Sequence, residues 1–390
     1  MANLITEVTS ESVFGRIGKS FVGMLVGFVL VVGSIVLLFW NEGRAVATAK
    51  SLREGAATVV DVPSDNVNAA NESKLVHVTG DTTAGKALED PLFNISESAI
   101  RLRRNIQVYE WKEKKESKTR DKLGGGKETT TNYSYEKVWS PDLIKSSSFK
   151  SAEDHRNPEK LEVPKKEFVA KDAKLGQFAL TPEIIGKIPG DDAVAATEDQ
   201  LSKVSEDLQS KLKVESERFY LGEDPARPEI GDEKISFTVL RTGTVSVVAA
   251  QTKHGFAPYL TTNGREIELV ESGSMSAPQM FAHAQAANRI MTWILRGVGF
   301  VAMFIGGLLA LGPISAFAHI LPFLGSLMEI GFAIVAFFGA AIVSMLVIAV
   351  AWIVYRPLLG GILIVAAIGC IALLKRLHSK RTPVAAPASP

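Results

Sequence analysis

The sequence predicts an integral membrane α-helical protein with four spans and a β-rich α+β extracytoplasmic domain inserted between spans 1 and 2. The first observation is a set of uncharged apolar runs. Residues 21–40, and three further runs between residues 297 and 374, lack Asp, Glu, Lys and Arg. A spanning helix needs roughly 20 apolar residues to cross about 30 Å of hydrocarbon. The second observation is that charged residues make up 22% of the chain although these runs contain none, so the stretch between them is charge-rich.

Composition limits the classes of function. The net charge is +1, whereas a nucleic-acid-binding protein would show a basic excess, so we expect no nucleic-acid partner. Cys370 is the single cysteine, which rules out a disulfide within the chain and any metal site built on a cysteine cluster. We expect neither a cofactor nor a metal ion.

The N-terminal part contains the first predicted span. We interpret residues 1–20, which are short and mixed in charge, as a cytoplasmic N-terminus, and residues 21–40 as transmembrane helix 1. This run is longer than the roughly 7–15 residues of a signal-peptide core, and no small-x-small cleavage site follows it. Gly23 and Gly27 match the small-x-x-x-small pattern of packed membrane helices. The polar segment Asn41–Arg44 that follows has the composition of a solvated helix exit.

Residues 41–288 form the predicted extracytoplasmic domain, periplasmic or lumenal, and most of its local patterns are typical of strands. Apolar alternation and turn signals predict strands at 75–79, 100–111, 132–139, 235–239, 245–250, 257–261 and 266–270. Asn263-Gly264 is a strong hairpin signal between the last two.

Two segments of this domain have other patterns. Residues 192–217 repeat Leu or Val at helical spacing, which predicts one amphipathic helix. Residues 112–131 are highly charged and contain the glycine run 124–126, and we interpret them as a long flexible hairpin loop. The glycines are not a phosphate-binding loop, because no Gly-x-x-x-x-Gly-Lys-Ser/Thr pattern surrounds them.

The C-terminal block divides at its charged and proline residues. The predicted segments are, in order, transmembrane helix 2 at 289–312, an interfacial or re-entrant linker at 313–329, transmembrane helix 3 at 330–354, transmembrane helix 4 at 355–374, and a basic, disordered cytoplasmic tail at 375–390. The basic residues after helix 4 favour a cytoplasmic C-terminus. Four spans then place both ends of the chain in the cytoplasm and the domain on the other side.

Candidates for chemistry in the domain are few. The sequence has neither His-Glu-x-x-His nor Gly-x-Ser-x-Gly, and we expect no catalytic residue. His155 and Asn157 lie in an Asp-His-Arg-Asn-Pro segment that is typical of a turn. Asp154 beside His155 leaves an acid–base role open as the alternative.

Ionisable residues are also rare in the membrane block, where charges are costly and often functional. Arg296 lies near the start of helix 2, where its side chain can reach water. Glu329 and Arg356 lie at the two ends of helix 3. His319 is the one candidate for a buried polar group in this block.

Short motifs in a fixed order give the chain a family resemblance. They are Asn41–Ala45, Leu75–His77, Arg101–Arg104 with Tyr109 and Trp111, Tyr133–Tyr135 with Trp139, His155 with Asn157-Pro158, Gly231-Asp232, Met291–Arg296 and Tyr355–Leu358. In this order and spacing the chain resembles the transmembrane protein 43 family, also called LUMA, over about residues 21–360. The two ends do not match, and the glycine-rich segment 112–131 differs in length and content.

The resemblance implies a four-span protein with a large lumenal domain between spans 1 and 2. It implies residence in the endoplasmic reticulum and inner nuclear membrane in animals, self-association, and organisation of membrane protein complexes with lamina-associated partners. No enzymatic activity is established for the family, so it supplies no catalytic residues. It marks shared structural positions at Asn41, Glu42, Gly43, Arg44, Tyr355, Arg356 and Pro357. Our hypothesis is that Arg44 or Arg356 pairs with acidic groups or lipid phosphates.

These observations predict a non-enzymatic multi-pass membrane scaffold that self-associates and organises membrane protein complexes or lipid through its extracytoplasmic domain. One alternative is a channel or transporter with the helix bundle as the pathway, and another is a membrane-anchored hydrolase around His155. The expected partners are membrane lipid, further copies of the chain and other membrane proteins. The Pro/Ala-rich tail and the lack of a retention signal favour a bacterial member of the family, located in the inner membrane. A eukaryotic source would place the protein in the endoplasmic reticulum or inner nuclear membrane.

Overall fold

The computed structural model of the chain describes residues 4–122, 126–204, 206–318 and 322–358, together with residues 361, 362, 365 and 369. These residues divide into two compact units. The β-rich unit consists mainly of Ser51–Arg120 and Glu128–Gln285, and the membrane unit consists mainly of Glu11–Lys50 and the described residues from Ala286 onward.

The helices of the described residues differ greatly in length. They are α1 (Val13–Thr58), α2 (Pro182–Lys187), α3 (Glu198–Leu201), α4 (Glu206–Gln209), α5 (Ala277–Ala310), α6 (Gly312–Ala318) and α7 (Pro322–Tyr355), with 3₁₀ turns at Ala69–Asn71 and Ser146–Ser148. Among the described residues, three segments are long and apolar enough to cross a membrane: Val13–Thr58, Ala277–Ala310 and Met328–Tyr355. The β-rich region lies between the first and second of them. This arrangement confirms the predicted order of helices and domain.

The observed helices begin and end at residues that differ from the predicted limits of the spans. Helix α1 continues past the predicted limit at residue 40, and α5 begins before the predicted limit at residue 289. Both extend because the span limits were set by apolar composition, whereas helical hydrogen bonding continues through polar residues. Most of predicted transmembrane helix 4 and the whole tail 375–390 lie outside the described residues, so the fourth span stays a prediction. The linker 313–329 is helical where it is described, in α6 and the start of α7, and its position relative to a membrane stays a prediction.

The strands form two larger sheets and two short hairpins. They are β1 (Leu4–Glu11), β2 (Val60–Asp61), β3 (Leu75–Thr83), β4 (Leu88–Asp90), β5 (Ile95–Glu97), β6 (Ala99–Asp121), β7 (Lys127–Ser140), β8 (Lys166–Val169), β9 (Lys174–Leu175), β10 (Phe178–Ala179), β11 (Asp192–Val194), β12 (Leu212–Glu215), β13 (Arg218–Leu221), β14 (Glu233–Arg241), β15 (Thr244–Gln251), β16 (Phe256–Ala257), β17 (Tyr259–Leu260), β18 (Glu266–Ile267) and β19 (Leu269–Ser272). One sheet has eight strands in the order β1-β7-β6-β14-β13-β12, with β11 on β14 and β8 on β6. The other has seven, in the order β10-β9-β3-β15-β16, with β19 on β15 and β2 on β3.

The eight-stranded sheet buries one apolar cluster, and the seven-stranded sheet packs against two, one of which contains Leu75 and Val248. In the eight-stranded sheet, Ile106 lies opposite Ile235, and both side chains belong to one buried cluster. In the seven-stranded sheet, Val78 lies opposite Val247 in a second cluster, which α2 covers with Ile184 and Ile185. In β14 the buried and partly exposed side chains alternate along the strand, as expected where one face of a sheet covers a core.

The prediction of one helix over residues 192–217 is wrong. The segment contains β11, the short helices α3 and α4, and β12. Strand β11 pairs with β14, and β12 pairs with β13, so neighbouring strand edges supply the hydrogen bonds that a helix would otherwise form internally. Leu212 and Val204 are still buried, in the core beneath the eight-stranded sheet. The apolar residues were assigned correctly to the core, but tertiary pairing overrode their helical spacing.

The prediction of a long flexible loop at 112–131 is also wrong. Strand β6 runs to Asp121 and β7 starts at Lys127, so the strands continue through the charged sequence. Hydroxyl pairs support this ladder across the hairpin: the Oγ of Ser117 lies 3.1 Å from Oγ1 of Thr131. Opposed hydroxyl pairs of this kind stabilise two-stranded ladders. The glycines at 124 and 125 lie outside the described residues.

Part of the predicted cytoplasmic N-terminus is a strand of the β-rich unit. Strand β1 pairs with β7 at the edge of the eight-stranded sheet. Oγ1 of Thr6 donates a hydrogen bond to Oδ1 of Asn132 at 2.9 Å, and Nζ of Lys150 lies 2.9 Å from Oε1 of Glu7. The location of residues 1–20 relative to a membrane stays a prediction.

Candidate functional site

The segment Asn41–Arg44 lies inside α1 and is not a solvated helix exit as predicted. The side chains of Asn41 and Glu42 are both 0% exposed. Nothing in these four residues stops a helix, and α1 continues beyond them to Thr58. The polar side chains are therefore held against neighbouring helices of the membrane unit.

Glu42 joins three helices through one carboxylate. Its Oε1 accepts a hydrogen bond from Nε of Arg296 in α5 at 2.7 Å. Its Oε2 accepts a hydrogen bond from the indole Nε1 of Trp352 in α7 at 2.8 Å. The guanidinium of Arg296 also lies 4.7 Å from the ring centroid of Trp293. A buried charge is tolerated when it is paired and hydrogen-bonded, and both conditions hold for Glu42.

The pairing of Glu42 with Arg296 and Trp352 is a feature of the site that the sequence reasoning missed. Arg296 was interpreted as a side chain that reaches water from a helix end, yet its side chain is only 15% exposed. A signal was present, because Glu42 and Arg296 each border an uncharged run at the same end of the predicted bundle. Opposite charges at matching depths on two spans are candidates for an interhelical pair.

A second polar cluster is formed by Asn41 and Arg44, which flank Glu42 in α1, together with residues of α5. Nδ2 of Asn41 donates to the backbone oxygen of Thr292 at 3.0 Å. Nη1 of Arg44 donates to Oδ1 of Asn288 at 3.1 Å, and Nη2 donates to Oγ1 of Thr292 at the same distance. Asn288 in turn donates to the backbone oxygen of Ala45 at 3.0 Å. These bonds give Arg44 amide and hydroxyl acceptors on α5, and its pairing with a lipid phosphate stays a prediction.

Gly43 permits a close approach between α1 and α7. A Cβ atom at this position would lie 2.7 Å from Cζ of Tyr355, which is too close for any side chain. The Tyr355 ring also packs on Phe39, with the ring centroids 5.3 Å apart. Arg356 follows with its guanidinium 5.7 Å from the centroid of the Trp352 ring, and Pro357 comes next. The structure thus brings the two family motifs together around the pair of α1 and α7.

Gly27 marks a similar approach near the other end of α1. A Cβ atom there would lie 2.5 Å from the backbone oxygen of Gly306 in α5. The small-x-x-x-small pattern therefore does mark a helix-packing position. Gly27 lies about four helical turns before Asn41 in α1. Helices α1 and α5 are therefore in contact at two separate places, through the glycines and through the polar segment.

Energetics favour the ion pair as the dominant element of this site. Removing one partner from a buried ion pair costs about 3–5 kcal/mol, because the other charge is left uncompensated. Hydrogen bonds between membrane helices contribute on average only about 0.6 kcal/mol each. The amide cluster around Arg44 therefore orients the helices, and the Glu42–Arg296 pair makes the arrangement costly to change.

His155 is enclosed by aromatic rings in the β-rich unit. It is stacked on Tyr135 with the ring centroids 3.7 Å apart, and the edge contact with Trp111 has a centroid distance of 4.8 Å. Its Nδ1 lies 3.1 Å from the backbone oxygen of Ser151, whereas the carboxylate of Asp154 accepts a hydrogen bond from Oγ of Ser151. A cavity of about 480 Å³ lies nearby, and neither His155 nor Asp154 is among the described residues that line it. This geometry gives no support to acid–base chemistry by His155 with Asp154.

Asn157 anchors the loop that follows β7. Its Oδ1 accepts from the backbone nitrogen of Trp111 at 2.7 Å, and its Nδ2 donates to the backbone oxygens of Trp111 and Ile144 at 2.8 and 3.1 Å. The buried carboxylate of Glu110 accepts from the backbone nitrogen of Ile144 at 3.0 Å, and burial raises the pKa of this carboxyl. These contacts assign Asn157 a structural role.

His319 lies outside the described residues. Within the described ranges, no group of three or more His, Cys, Asp or Glu side chains is placed to hold a metal ion.

Comparison with known proteins gives a consistent result. The sequence model of a family described as Transmembrane protein 43 matches residues 108–357. The chain is 33% identical over 382 residues to Transmembrane protein 43 of Mus musculus, with 94% of this chain and 92% of the relative covered. It is 32% identical over 370 residues to the Homo sapiens protein, with 92% and 90% covered. It is 28% identical over 366 residues to the Transmembrane protein 43 homolog of Drosophila melanogaster, with 88% and 91% covered. No solved structure matches the chain.

Proposed function

The chain belongs to the transmembrane protein 43 family, and from this membership we propose that it is a non-enzymatic multi-pass scaffold. In this proposal the protein self-associates and organises membrane protein complexes or lipid through its extracytoplasmic domain. It has four spans and a cytoplasmic C-terminal tail. It resides in the bacterial inner membrane if the source is prokaryotic, and in the endoplasmic reticulum or inner nuclear membrane if it is eukaryotic.

The observation that carries the proposal is the buried carboxylate of Glu42, which is hydrogen-bonded to two neighbouring helices in the membrane unit. Each oxygen of Glu42 already accepts one hydrogen bond, from Arg296 or from Trp352. A transport pathway needs polar groups that exchange partners with a passing solute. A carboxylate fixed by two helices instead supports a rigid bundle, which favours a scaffold over a channel or transporter.

The β-rich unit supports the same proposal because it offers large polar surfaces on a well-packed frame. Strands β6 and β7 form a hairpin of 23 and 14 residues. The residues from Lys112 to Arg120 in β6 are mostly exposed and mix lysine, arginine and glutamate. Exposed surfaces of mixed charge suit reversible contacts with other proteins or with lipid headgroups.

The pairing of β1 bears on the N-terminal side of the predicted topology, which stays a prediction. A membrane holds no polar strand that is exposed to lipid, because the unpaired backbone groups could not be satisfied. The pairing of β1 with β7 therefore requires residues 4–11 and the sheet to be on the same side. A cytoplasmic N-terminus and an extracytoplasmic sheet require the opposite.

The scaffold proposal is tested by the mass and composition of the native complex. The full-length protein would be cross-linked in its own membranes, purified in a mild detergent and measured by light scattering and mass spectrometry. We expect a homo-oligomer with reproducible protein or lipid companions. A closed small oligomer without companions, together with ion flux after reconstitution into liposomes, would contradict the scaffold and favour a channel.

A further inference from the structure

The membrane unit contains a groove between α5 and α7. Its volume is about 570 Å³. It is lined by Trp293, Arg296, Gly297, Phe300, Ala341, Ser344, Met345, Ile348, Ala349 and Trp352. Cavities that bind small organic ligands have volumes of roughly 300–1,000 Å³, so the groove is large enough to hold a hydrocarbon chain.

One end of the groove is cationic and aromatic, and the rest is almost entirely apolar. Arg296 is the charged residue of the lining, and Trp293 and Trp352 lie beside its guanidinium, with ring centroids 4.7 and 5.9 Å away. Tryptophan is enriched where the hydrocarbon of a membrane meets the headgroups. This end of the groove therefore has the composition of a headgroup region, and the other end has that of an acyl-chain region.

The guanidinium of Arg296 has hydrogen-bonding capacity left over. Its Nε donates to Glu42, and among the described residues its two terminal nitrogens have no hydrogen-bond acceptor. Arg356, whose guanidinium lies 5.7 Å from the Trp352 ring, adds a second positive charge at the same end. Glu42 balances one of these two charges, so the local balance favours an anionic partner.

We propose that this groove binds an anionic phospholipid. Its phosphate accepts hydrogen bonds from the terminal nitrogens of Arg296, with Arg356 supplying further positive charge, and one acyl chain lies along Phe300, Ile348 and Ala349. Arginine matches phosphate with a planar pair of donors, which a lysine at the same place would not provide. Basic pockets between membrane helices are known as sites for anionic headgroups.

The charge at the groove argues for lipid over a protein segment. The chain from residue 358 to residue 374 follows α7 in sequence. It contains no Asp, Glu, Asn, Gln, Ser or Thr, so it brings no side-chain acceptor of ordinary strength for a guanidinium. A phospholipid supplies both the anion and the hydrocarbon. The proposal goes beyond the scaffold function and does not depend on it, because a lipid can occupy this groove in a single copy of the chain.

The test compares two substitutions on adjacent residues of α7. Ala349→Phe places a ring in the groove, whereas Val350→Phe places the same ring at a lipid-facing position that is 52% exposed. The full-length variants would be purified in detergent and titrated with palmitoyl-oleoyl phosphatidylglycerol or phosphatidylcholine, with bound lipid counted by native mass spectrometry. We expect the wild type and Val350→Phe to bind one phosphatidylglycerol per chain. We expect its apparent dissociation constant to rise at least about tenfold in Ala349→Phe, a loss of about 1.4 kcal/mol.

Two further variants keep the test decisive. Arg296→Lys keeps the charge opposite Glu42 and should remove the preference for phosphatidylglycerol over phosphatidylcholine. A photo-reactive amino acid in place of Ile348 should form an adduct with phospholipid, and it reports on the groove even if Ala349→Phe fails to fold. Equal binding of both lipids by the wild type, equal losses in both phenylalanine variants, or an adduct to residues 358–374 or to a second copy of the chain would each overturn the proposal.

Discussion

The carboxylate of Glu42 lies 2.7 Å from Nε of Arg296, although 254 residues separate the two in sequence. Glu42 lies just after the apolar run of the first predicted span, and Arg296 lies just before the uncharged run of the second. The intervening chain forms a whole β-rich unit, so the pair joins α1 and α5 directly within the membrane unit. The tryptophan bond from α7 makes Glu42 common to all three described apolar helices.

Neutralising Glu42 should destabilise the protein strongly. In Glu42→Gln the buried guanidinium of Arg296 loses its counter-charge, and we expect the free energy of unfolding to fall by about 3–5 kcal/mol. The double variant Glu42→Gln with Arg296→Gln should recover part of this loss. Tryptophan fluorescence during thermal unfolding in detergent would measure both, with Lys50→Gln, which removes one charge at an exposed position of α1, as the control. Equal effects of Glu42→Gln and Lys50→Gln would contradict the role of the pair.

Adding one methyl group at Gly43 should separate α1 from α7. The new Cβ would meet the Tyr355 ring at 2.7 Å, and overpacking of this kind costs about 1–3 kcal/mol. Gly33→Ala is the matched control in the same helix, because a Cβ there has no atom within 4 Å among the described residues. We expect Gly43→Ala to lower the melting temperature and Gly33→Ala to leave it unchanged or raise it slightly. The reverse order would show that the close approach is absent.

Glu233 should make the stability of the β-rich unit depend on pH. Its buried carboxylate accepts hydrogen bonds from the backbone nitrogens of Glu162 and Val163, and burial, the larger effect, raises its pKa above the ordinary value of 4.5. A folded-state pKa above the unfolded one means that the folded state binds more protons between the two values. The contribution of Glu233 to stability is therefore present below pH 4.5 and is lost as the pH rises through the raised pKa.

The measurement is the free energy of unfolding by urea as a function of pH. The glutamine side chain in Glu233→Gln does not titrate. We therefore expect the free energy of unfolding of this variant to decline less steeply above pH 4.5 than that of the wild type. Glu159→Gln, at an exposed position, should leave the profile of the wild type unchanged. An unchanged slope in Glu233→Gln would show that this carboxyl titrates at its ordinary value.

A disulfide between β1 and β7 should form in intact membranes. Oγ1 of Thr6 and Oδ1 of Asn132 are 2.9 Å apart, and we expect Thr6→Cys with Asn132→Cys to cross-link under mild oxidation in a Cys370→Ser background. The positive control is Ser117→Cys with Thr131→Cys, within the β6–β7 hairpin. Cross-linking in both pairs would make the predicted cytoplasmic N-terminus wrong. Cross-linking in the control pair alone would separate residues 4–11 from the sheet and support the predicted topology.

The sequence determined those features whose signal is local. Uncharged runs identified three helices that the structure confirms as candidate spans, because hydrocarbon excludes charge over a continuous stretch of chain. Alternating apolar residues identified β6 and β14, because a half-buried strand alternates its side chains between core and solvent. The order of short motifs likewise identified the family, because each motif is a run of a few neighbouring residues.

The tertiary structure decided what depends on partners distant in sequence. The segment 192–217 has a helical pattern, yet its two ends form strands that pair with β14 and β13. The charged residues after Trp111 continue as strand because a second strand lies beside them. The segment around Glu42 has the composition of a solvated helix exit. Only the packing of α5 and α7 against α1 buries Glu42 and pairs it with Arg296 and Trp352. Local sequence encodes which side chains avoid water, whereas the pairing of two buried polar groups is fixed by the meeting of elements hundreds of residues apart.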